Sequence, residues 1–132
     1  MIEIPRLKRL IIMFGYDESC SKILTSLMYE KDFVDVIYLT KKTGYSRSMV
    51  SLILKRLSEN GVIIKNRDGH KYIYKLNEKF LINIYESFLN KIEKELKYIS
   101  MDRKNFSENF YNQINSIKNN LKNIKGEAEW LK

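Results

Sequence analysis

The chain has few of the residues that build disulfides, metal centres and catalytic sets. It contains one cysteine, Cys20, and one histidine, His70. A lone cysteine cannot form an internal disulfide, and neither residue has a partner at metal-ligand spacing, so we interpret Cys20 as a buried structural thiol. Without a Ser/His/Asp set, a metal cluster or a Gly-rich phosphate loop, the sequence argues against an enzyme and predicts no cofactor and no metal.

Long apolar segments are also missing. No apolar run approaches the roughly 18 to 20 residues of a bilayer span, and the first residues lack the basic-then-apolar order of a signal peptide. We therefore expect no membrane partner and a cytoplasmic location, with which a single cysteine agrees because the cytosol is reducing. With 132 residues, 44% of them hydrophobic, the chain has room for one domain with a modest core and appended helices.

The positive charge is concentrated in one part of the chain. Of the formal net charge of +8, most comes from residues 41–75, where nine lysines and arginines stand against Glu59 and Asp68. A charged face that serves only solubility does not explain this concentration. The pattern instead indicates a phosphate-binding surface.

The first 60 residues show helical periodicity. Apolar residues at i, i+3, i+4 and i+7 predict helices over 5–14 and 17–29. Cap residues at both ends predict a shorter helix over 35–44, and a serine cap predicts a fourth helix over 46–60. A glycine that ends the third helix also opens a tight turn before the fourth.

From residue 62 the spacing of apolar residues changes from the helical period to that of β-strands. Residues 62–66 and 71–74 are rich in β-branched and aromatic side chains, and the Asp68-Gly69 pair between them favours a type I′ hairpin turn. Tyr72 and Tyr74 alternate along the second strand, and we interpret both as core packing rather than as base-stacking groups.

Helical periodicity returns after Asn77. It predicts one long helix from Leu81 to Ile99, a break at 100–103, and a last helix that carries Phe106 and Phe110. Apolar residues then follow in alternating steps of three and four, which is typical of a coiled-coil seam. The seam consists of Ile114, Ile117, Leu121, Ile124, Ala128 and Leu131.

The predicted elements follow the order of a winged helix-turn-helix: helix, short helix, tight turn, helix and basic hairpin. The expected fold class is mainly α with a small β-hairpin. The major groove of DNA accepts one α-helix, and a hairpin beside it reaches the backbone or the minor groove. Double-stranded DNA is therefore the expected partner. A helical wheel turns Ser48, Ser51, Leu52, Lys55 and Glu59 outward and puts Arg47 and Arg56 towards the edges. With Ser46 at the helix start, the candidate recognition residues are Ser46, Arg47, Ser48, Ser51, Leu52, Lys55 and Arg56. The candidate wing residues are Lys65, Arg67, His70 and Lys71, and the alternative for these is a charged tip that serves solubility.

The segment over 46–63, SRSMVSLILKRLSENGVI, resembles the recognition-helix signature of MarR-like transcription regulators. The sequences of family members follow approximately the pattern S-[KR]-S-x-V-S-x-x-L-K-x-L-x-x-x-G-[LV]-[IV]. Within the family, this chain is most similar to the GbsR-like subgroup. The clear match covers roughly residues 15–76. The resemblance implies a prokaryotic winged-helix homodimer that acts at palindromic operators and responds to a small-molecule effector. Leu52 stands where such helices often carry a polar or basic residue, so we expect it to contact thymine methyl groups.

The terminal helices are expected to form a homodimer, because a single recognition helix binds weakly. The predicted organisation is an N-terminal dimerisation helix over 1–15, the winged domain over 16–77 and a C-terminal helical dimerisation region over 78–132. An intramolecular helical bundle is the alternative. The candidate interface residues are Leu7, Leu10, Ile11, Phe14, Ile114, Ile117, Leu121, Ile124 and Leu131.

Two other functions stay open. One is an architectural, chromatin-like protein that binds DNA regardless of its sequence. The other is a winged-helix interaction module within a larger assembly, which would retain little affinity for DNA by itself.

Overall fold

A computed structural model describes residues 3–128, and these divide into two compact units, residues 3–80 and 81–128. The predicted fold class, mainly α with one antiparallel hairpin, is confirmed. The first unit contains α1 (Glu3–Met13), α2 (Glu18–Met28), α3 (Val36–Thr43), α4 (Arg47–Glu59), β1 (Ile63–Asp68) and β2 (Lys71–Leu76). The helix α5 (Phe80–Ser100), a short 3-10 helix (Arg103–Asn105) and α6 (Glu108–Ala128) follow.

Side-chain caps set the starts of three helices at the predicted places. The side chains of Asp17, Asp35 and Ser46 accept hydrogen bonds from backbone N–H groups at 2.8, 2.9 and 3.2 Å. Each cap satisfies a donor that the first helical turn would otherwise leave unpaired. Gly44 ends α3 with a φ of 77°, a left-handed conformation that glycine adopts without steric cost.

The core of the first unit lies between its four helices. The apolar faces predicted for α2 and α4 are buried, and Leu39 of α3 and Ile11 of α1 join them, whereas Val36, expected on the inner side of α3, is only half-buried. Cys20 is buried as predicted, and this burial raises the pKa of its thiol. The helical side chains that lose almost all contact with solvent are Ile11, Ile23, Leu24, Leu27, Leu39, Val50, Ile53 and Leu54.

The hairpin turn differs from the prediction. Asp68 pairs with Lys71, so the two central turn residues are Gly69 and His70 rather than Asp68 and Gly69. Gly69 has a φ of 65°, and no non-glycine residue of the described chain has a positive φ. The predicted type I′ turn is therefore wrong, because such a turn requires a positive φ at both central positions. A positive φ at the first position alone fits a type II′ turn.

An isolated β-bridge holds the hairpin against the loop before α3. The N–H of Tyr74 donates to the carbonyl of Val34 at 2.7 Å, and the N–H of Val34 donates to the carbonyl of Tyr74 at 2.9 Å. These two bonds satisfy backbone groups that the edge of a two-stranded sheet would leave exposed.

In the second unit, α5 and α6 run antiparallel. Glu93 pairs with Lys125 at 3.1 Å, and Lys118 donates to the Ser100 hydroxyl at 3.5 Å, so positions later in α5 meet positions earlier in α6. The start predicted for the last helix is wrong, because Phe106 precedes α6. Its ring packs edge-on against Phe110, 5.1 Å between centroids.

The predicted seam of α6 is divided between two faces. Ile114 and Leu121, one heptad apart, are buried within the chain. Phe110, Ile117 and Ile124 repeat at the same spacing but are exposed. One row of the seam is thus packed inside the subunit, and the other row is open to a partner.

The predicted dimer residues of α1 also differ in exposure. Ile11 is completely buried and Leu10 is exposed, while Leu7 and Phe14 are half-buried. Burial inside the chain leaves Ile11 no surface for a second subunit, and the same holds for Ile114 and Leu121 of α6. Leu131 lies outside the described residues. Among the helices described, none is long and apolar enough to cross a membrane.

Candidate nucleic-acid interface

One open cleft lies between α4, the start of α3 and the hairpin. Its volume is about 860 Å³. The floor is partly apolar, and the rim is charged and hydroxylated. Fourteen residues line it: Asp35, Val36, Ile37, Arg47, Ser51, Lys55, Ser58, Glu59, Ile63, Lys65, His70, Lys71, Tyr72 and Tyr74.

The outer face of α4 presents every recognition residue predicted from the sequence. Burial of the opposite stripe, Val50, Ile53, Leu54 and Leu57, forces the other side chains of this helix outward. The predicted residues that line the cleft are Arg47, Ser51 and Lys55. Outside the lining, Ser48, Leu52 and Arg56 are exposed on α4, and Ser46 is exposed at its cap.

Two of the residues outside the lining have distinct surroundings. Leu52 is 57% exposed, whereas Leu54 and Leu57 of the same helix are buried. The charge of Arg56 acts on the Cys20 thiol, whose pKa it partly lowers against the stronger effect of burial. Arg56 therefore acts electrostatically on a residue of α2, while Leu52 faces solvent.

The hairpin supplies the other wall of the cleft. Lys65, His70 and Lys71 line it as predicted for the wing. Arg67 is exposed but lies outside the lining, and its Nε donates to the Gly69 carbonyl across the turn at 3.3 Å. Cations of α4 and of the wing thus face one shared space.

Lys71 is tied to the helix-turn-helix by an ion pair. Its Nζ lies 3.1 Å from Oδ2 of Asp35, the residue that caps α3. The Tyr38 backbone N–H, and then the Lys71 ammonium, hold the pKa of the Asp35 carboxyl below its ordinary value. Part of the positive charge of Lys71 is therefore compensated inside the protein.

The two hairpin tyrosines have different surroundings. Tyr74 is buried, and burial raises the pKa of its hydroxyl, so the interpretation as core packing is confirmed there. For Tyr72 that interpretation is wrong, because its ring is 45% exposed and lines the cleft. The difference follows from position along the hairpin: Tyr74 is bridged to Val34, whereas Tyr72 lies nearer the turn.

Comparison with known proteins identifies the architecture. A transcriptional regulator of 8% identity superposes with a TM-score of 0.65, covering 95% of this chain and 89% of its own. The MarR family transcription regulator SP03579 is 15% identical, with a TM-score of 0.50 over 93% of this chain and 80% of its own. The organohalide-sensing regulator RdhR-CbdbA1625, bound to 2,4-dichlorophenol, is 19% identical, with a TM-score of 0.50 over 90% and 70% of the two chains.

The chain has the winged helix-turn-helix fold of MarR regulators. No protein-family model and no curated protein sequence matches it. At such low identities the likeness to the solved structures is one of fold. In this fold α4 occupies the position of the recognition helix, and β1 and β2 form the wing.

The sequence did not predict that the start of α3 lines the cleft together with α4 and the hairpin. Asp35 was expected only as a helix cap, and Ile37 was not singled out, although both line the cleft and Ile37 is half exposed. Ile37 lies off the buried face of α3, which carries Leu39, and this position in the sequence could have indicated that Ile37 is exposed. No sequence pattern indicated the ion pair between Asp35 and Lys71, because 36 residues separate them.

The chemistry of the cleft suits an extended anion. Four lysines and arginines line it against two carboxylates, and one of these carboxylates, Asp35, is already paired. Exposed hydroxyls and one exposed leucine accompany the cations on α4. Cations and hydroxyls can bond phosphate oxygens or base edges, and the leucine can pack on an apolar base substituent.

Proposed function

We propose that the protein is a sequence-specific, double-stranded DNA-binding transcription regulator that acts as a homodimer. One observation carries the proposal: the outer face of α4 and the basic wing bound the same open cleft. A helix and a hairpin in this arrangement can straddle one DNA strand, with the helix in the major groove. The fold shared with transcription regulators supports the same function.

Each group on α4 has a proposed contact. Arg47 and Lys55 bind guanine edges or phosphates, and Ser46 and Ser48 bind phosphate beside the free amides at the start of the helix. Leu52 contacts thymine methyl groups, because an exposed apolar side chain gains most from an apolar surface in the groove. The wing contacts the backbone or the minor groove and adds affinity that falls with salt.

The homodimer is proposed on the exposed row of α6. Phe110, Ile117 and Ile124 recur at heptad spacing, which presents one apolar stripe along the helix. Two-fold pairing would space two recognition helices about 34 to 36 Å apart, one turn of DNA. In this proposal residues 1–15 and 78–132 form the dimerisation regions and residues 16–77 bind DNA. The signature over 46–63 supports placement among the GbsR-like regulators of the prokaryotic cytoplasm.

A small-molecule effector is part of the proposal. The likeness in fold to a regulator solved with 2,4-dichlorophenol motivates it. Another cavity, of about 240 Å³, lies between α1, α2 and α3. It is lined in part by Lys8, Lys22, Lys42 and Tyr29. Three lysines line this cavity against one carboxylate, Glu30, so its excess of positive charge favours a compact organic anion. Benzoate is a suitable probe: it should release DNA from the wild-type protein and not from the Lys22→Met, Lys42→Met variant.

Selection of bound fragments from the source genome tests the main proposal. A regulator should retain a few sites at least about 10³-fold more tightly than random duplex, and the sites should be near-palindromic. A ratio near one would favour an architectural protein instead. Little retained affinity at physiological salt would favour an interaction module.

A further inference from the structure

The wing carries a cluster of two cations on one aromatic ring. The Lys65 ammonium lies 4.0 Å from the centroid of the Tyr72 ring, and the Arg67 guanidinium carbon lies 5.5 Å from it. Arg67 is directly opposite Tyr72 in the hairpin register, and Lys65 is two positions along the same strand. All three side chains therefore project from one face of the hairpin.

The two cations of this cluster have no carboxylate partner. Among the side chains of residues 5–127, no aspartate or glutamate lies within ion-pair distance of Lys65 or Arg67, and Lys71 alone among the wing cations is paired. Two like charges repel each other, so their placement on one ring has an electrostatic cost unless an anion lies between or beside them. An exposed tyrosine attracts cations through the negative face of its ring.

The cluster faces the proposed path of the DNA. Lys65 and Tyr72 line the cleft opposite Arg47 and Lys55 of α4. A strand whose bases meet α4 would carry its phosphates past this wall. The Lys65 ammonium and the terminal amino groups of the Arg67 guanidinium keep donors for phosphate oxygens, although the Nε of Arg67 donates to the Gly69 carbonyl.

We propose that Lys65, Arg67 and Tyr72 form a phosphodiester-binding site on the wing, in which Tyr72 is the positioning residue for both cations. The proposal rests on the proposed DNA-binding function. Tyr72 acts through the two cations and does not itself read a base. It preorganises two flexible side chains, which reduces the entropy lost when they bind phosphate.

Salt-dependent binding to a random-sequence duplex tests this role in the full-length protein. Tyr72→Leu should weaken binding about five- to twentyfold, because each cation–π contact corresponds to roughly a two- to fivefold effect. The slope of log K against log salt should fall by about one or two units, since each lost phosphate contact lowers it by about 0.9. Tyr72→Phe keeps the ring and should bind like the wild type.

A double-mutant cycle separates positioning from direct contact. In a Lys65→Met, Arg67→Met background, Tyr72→Leu should have no further effect on affinity or slope. A full further loss there would mean that the ring itself contacts DNA and would overturn the positioning role. Wild-type binding by the Tyr72→Leu protein would also overturn the positioning role. Wild-type protein that binds no duplex would overturn the proposed function as well.

Loss of fold is checked with a second variant. Tyr72→Gln replaces a half-exposed ring by a polar chain and should retain the wild-type circular dichroism spectrum and melting temperature. If Tyr72→Leu unfolds, Tyr72→Gln gives the same comparison of affinity and slope. Wild-type binding by a folded Tyr72→Gln protein would contradict the proposal.

Discussion

The Nζ of Lys71 lies 3.1 Å from Oδ2 of Asp35, so one ion pair joins the first residue of β2 to the cap of α3. The other carboxylate oxygen accepts the Tyr38 backbone N–H at 2.9 Å. A single side chain thus stabilises the start of a helix and holds the hairpin that forms the opposite wall of the cleft. This ion pair acts together with the backbone bridge between Val34 and Tyr74, which also holds the hairpin against the loop before α3.

Substitution of Asp35 should separate these two contributions. Asp35→Ala removes the cap and the ion pair and should lower the free energy of unfolding by about 1 to 2 kcal/mol. Asp35→Asn retains capping ability and should cost less, because partly exposed ion pairs contribute only about 0 to 1 kcal/mol. Urea unfolding at neutral pH measures both. Equal losses in the two variants would show that the cap contributes nothing.

The stabilisation from Asp35 should disappear in acid. Its pKa is lowered below the ordinary aspartate value in the folded protein, first by the Tyr38 N–H and then by Lys71. A group with a depressed folded pKa contributes its full stability above the unfolded pKa and loses it as the pH falls through the folded value. The difference between wild type and Asp35→Asn should therefore be constant above about pH 5 and shrink below about pH 4. A difference that persists undiminished at pH 2 would contradict this.

Arg47 and Leu52 should differ in what their loss does to sequence preference. If Arg47 reads a base, Arg47→Ala should weaken specific binding by about 1 to 3 kcal/mol and relax one operator position. Leu52→Ala should lose discrimination for thymine over cytosine where it packs on the methyl group. Selection from a random duplex library measures both. Lys91→Ala, which removes an exposed charge from α5, is the control; an unchanged site preference for both α4 variants would refute base reading.

The exposed row of α6 should control assembly. Ile117→Glu places a charge in the proposed apolar stripe and should convert a dimer into a monomer, with helicity unchanged, in light scattering and circular dichroism. Asn119→Glu adds the same charge at an exposed polar position on the opposite side of α6 and should remain dimeric. A dimer that survives Ile117→Glu at wild-type concentration would exclude this face as the interface.

Two glycine substitutions should change stability in opposite directions. Gly44 has a φ of 77°, and an alanine there is strained although no atom lies within 4 Å of its Cβ. Gly44→Ala should lower the free energy of unfolding by about 1 kcal/mol. Gly126 lies in α6 with equal space and no positive φ, so Gly126→Ala should be neutral or raise it by up to about 1 kcal/mol. Calorimetry distinguishes the two, and stabilisation by Gly44→Ala would contradict the left-handed cap.

The sequence determined the elements of this protein and the outward face of α4. Side-chain spacing along a helix fixes which residues share a face, so burial of Val50 and Leu54 dictates exposure of Ser51 and Lys55. Caps act over three or four residues, and Asp35, Gly44 and Ser46 therefore marked helix ends correctly. Both relationships are local and can be read from residue order.

Tertiary structure alone decided which residues meet across the cleft. The register of a two-residue turn moved the hairpin centre to Gly69 and His70, and this register set Arg67 opposite Tyr72. Packing also divided the α6 seam into a buried row with Leu121 and an exposed row with Ile117, a distinction that a heptad pattern does not contain. Contacts between residues distant in the chain depend on the summed packing of all elements, so no local pattern specifies them.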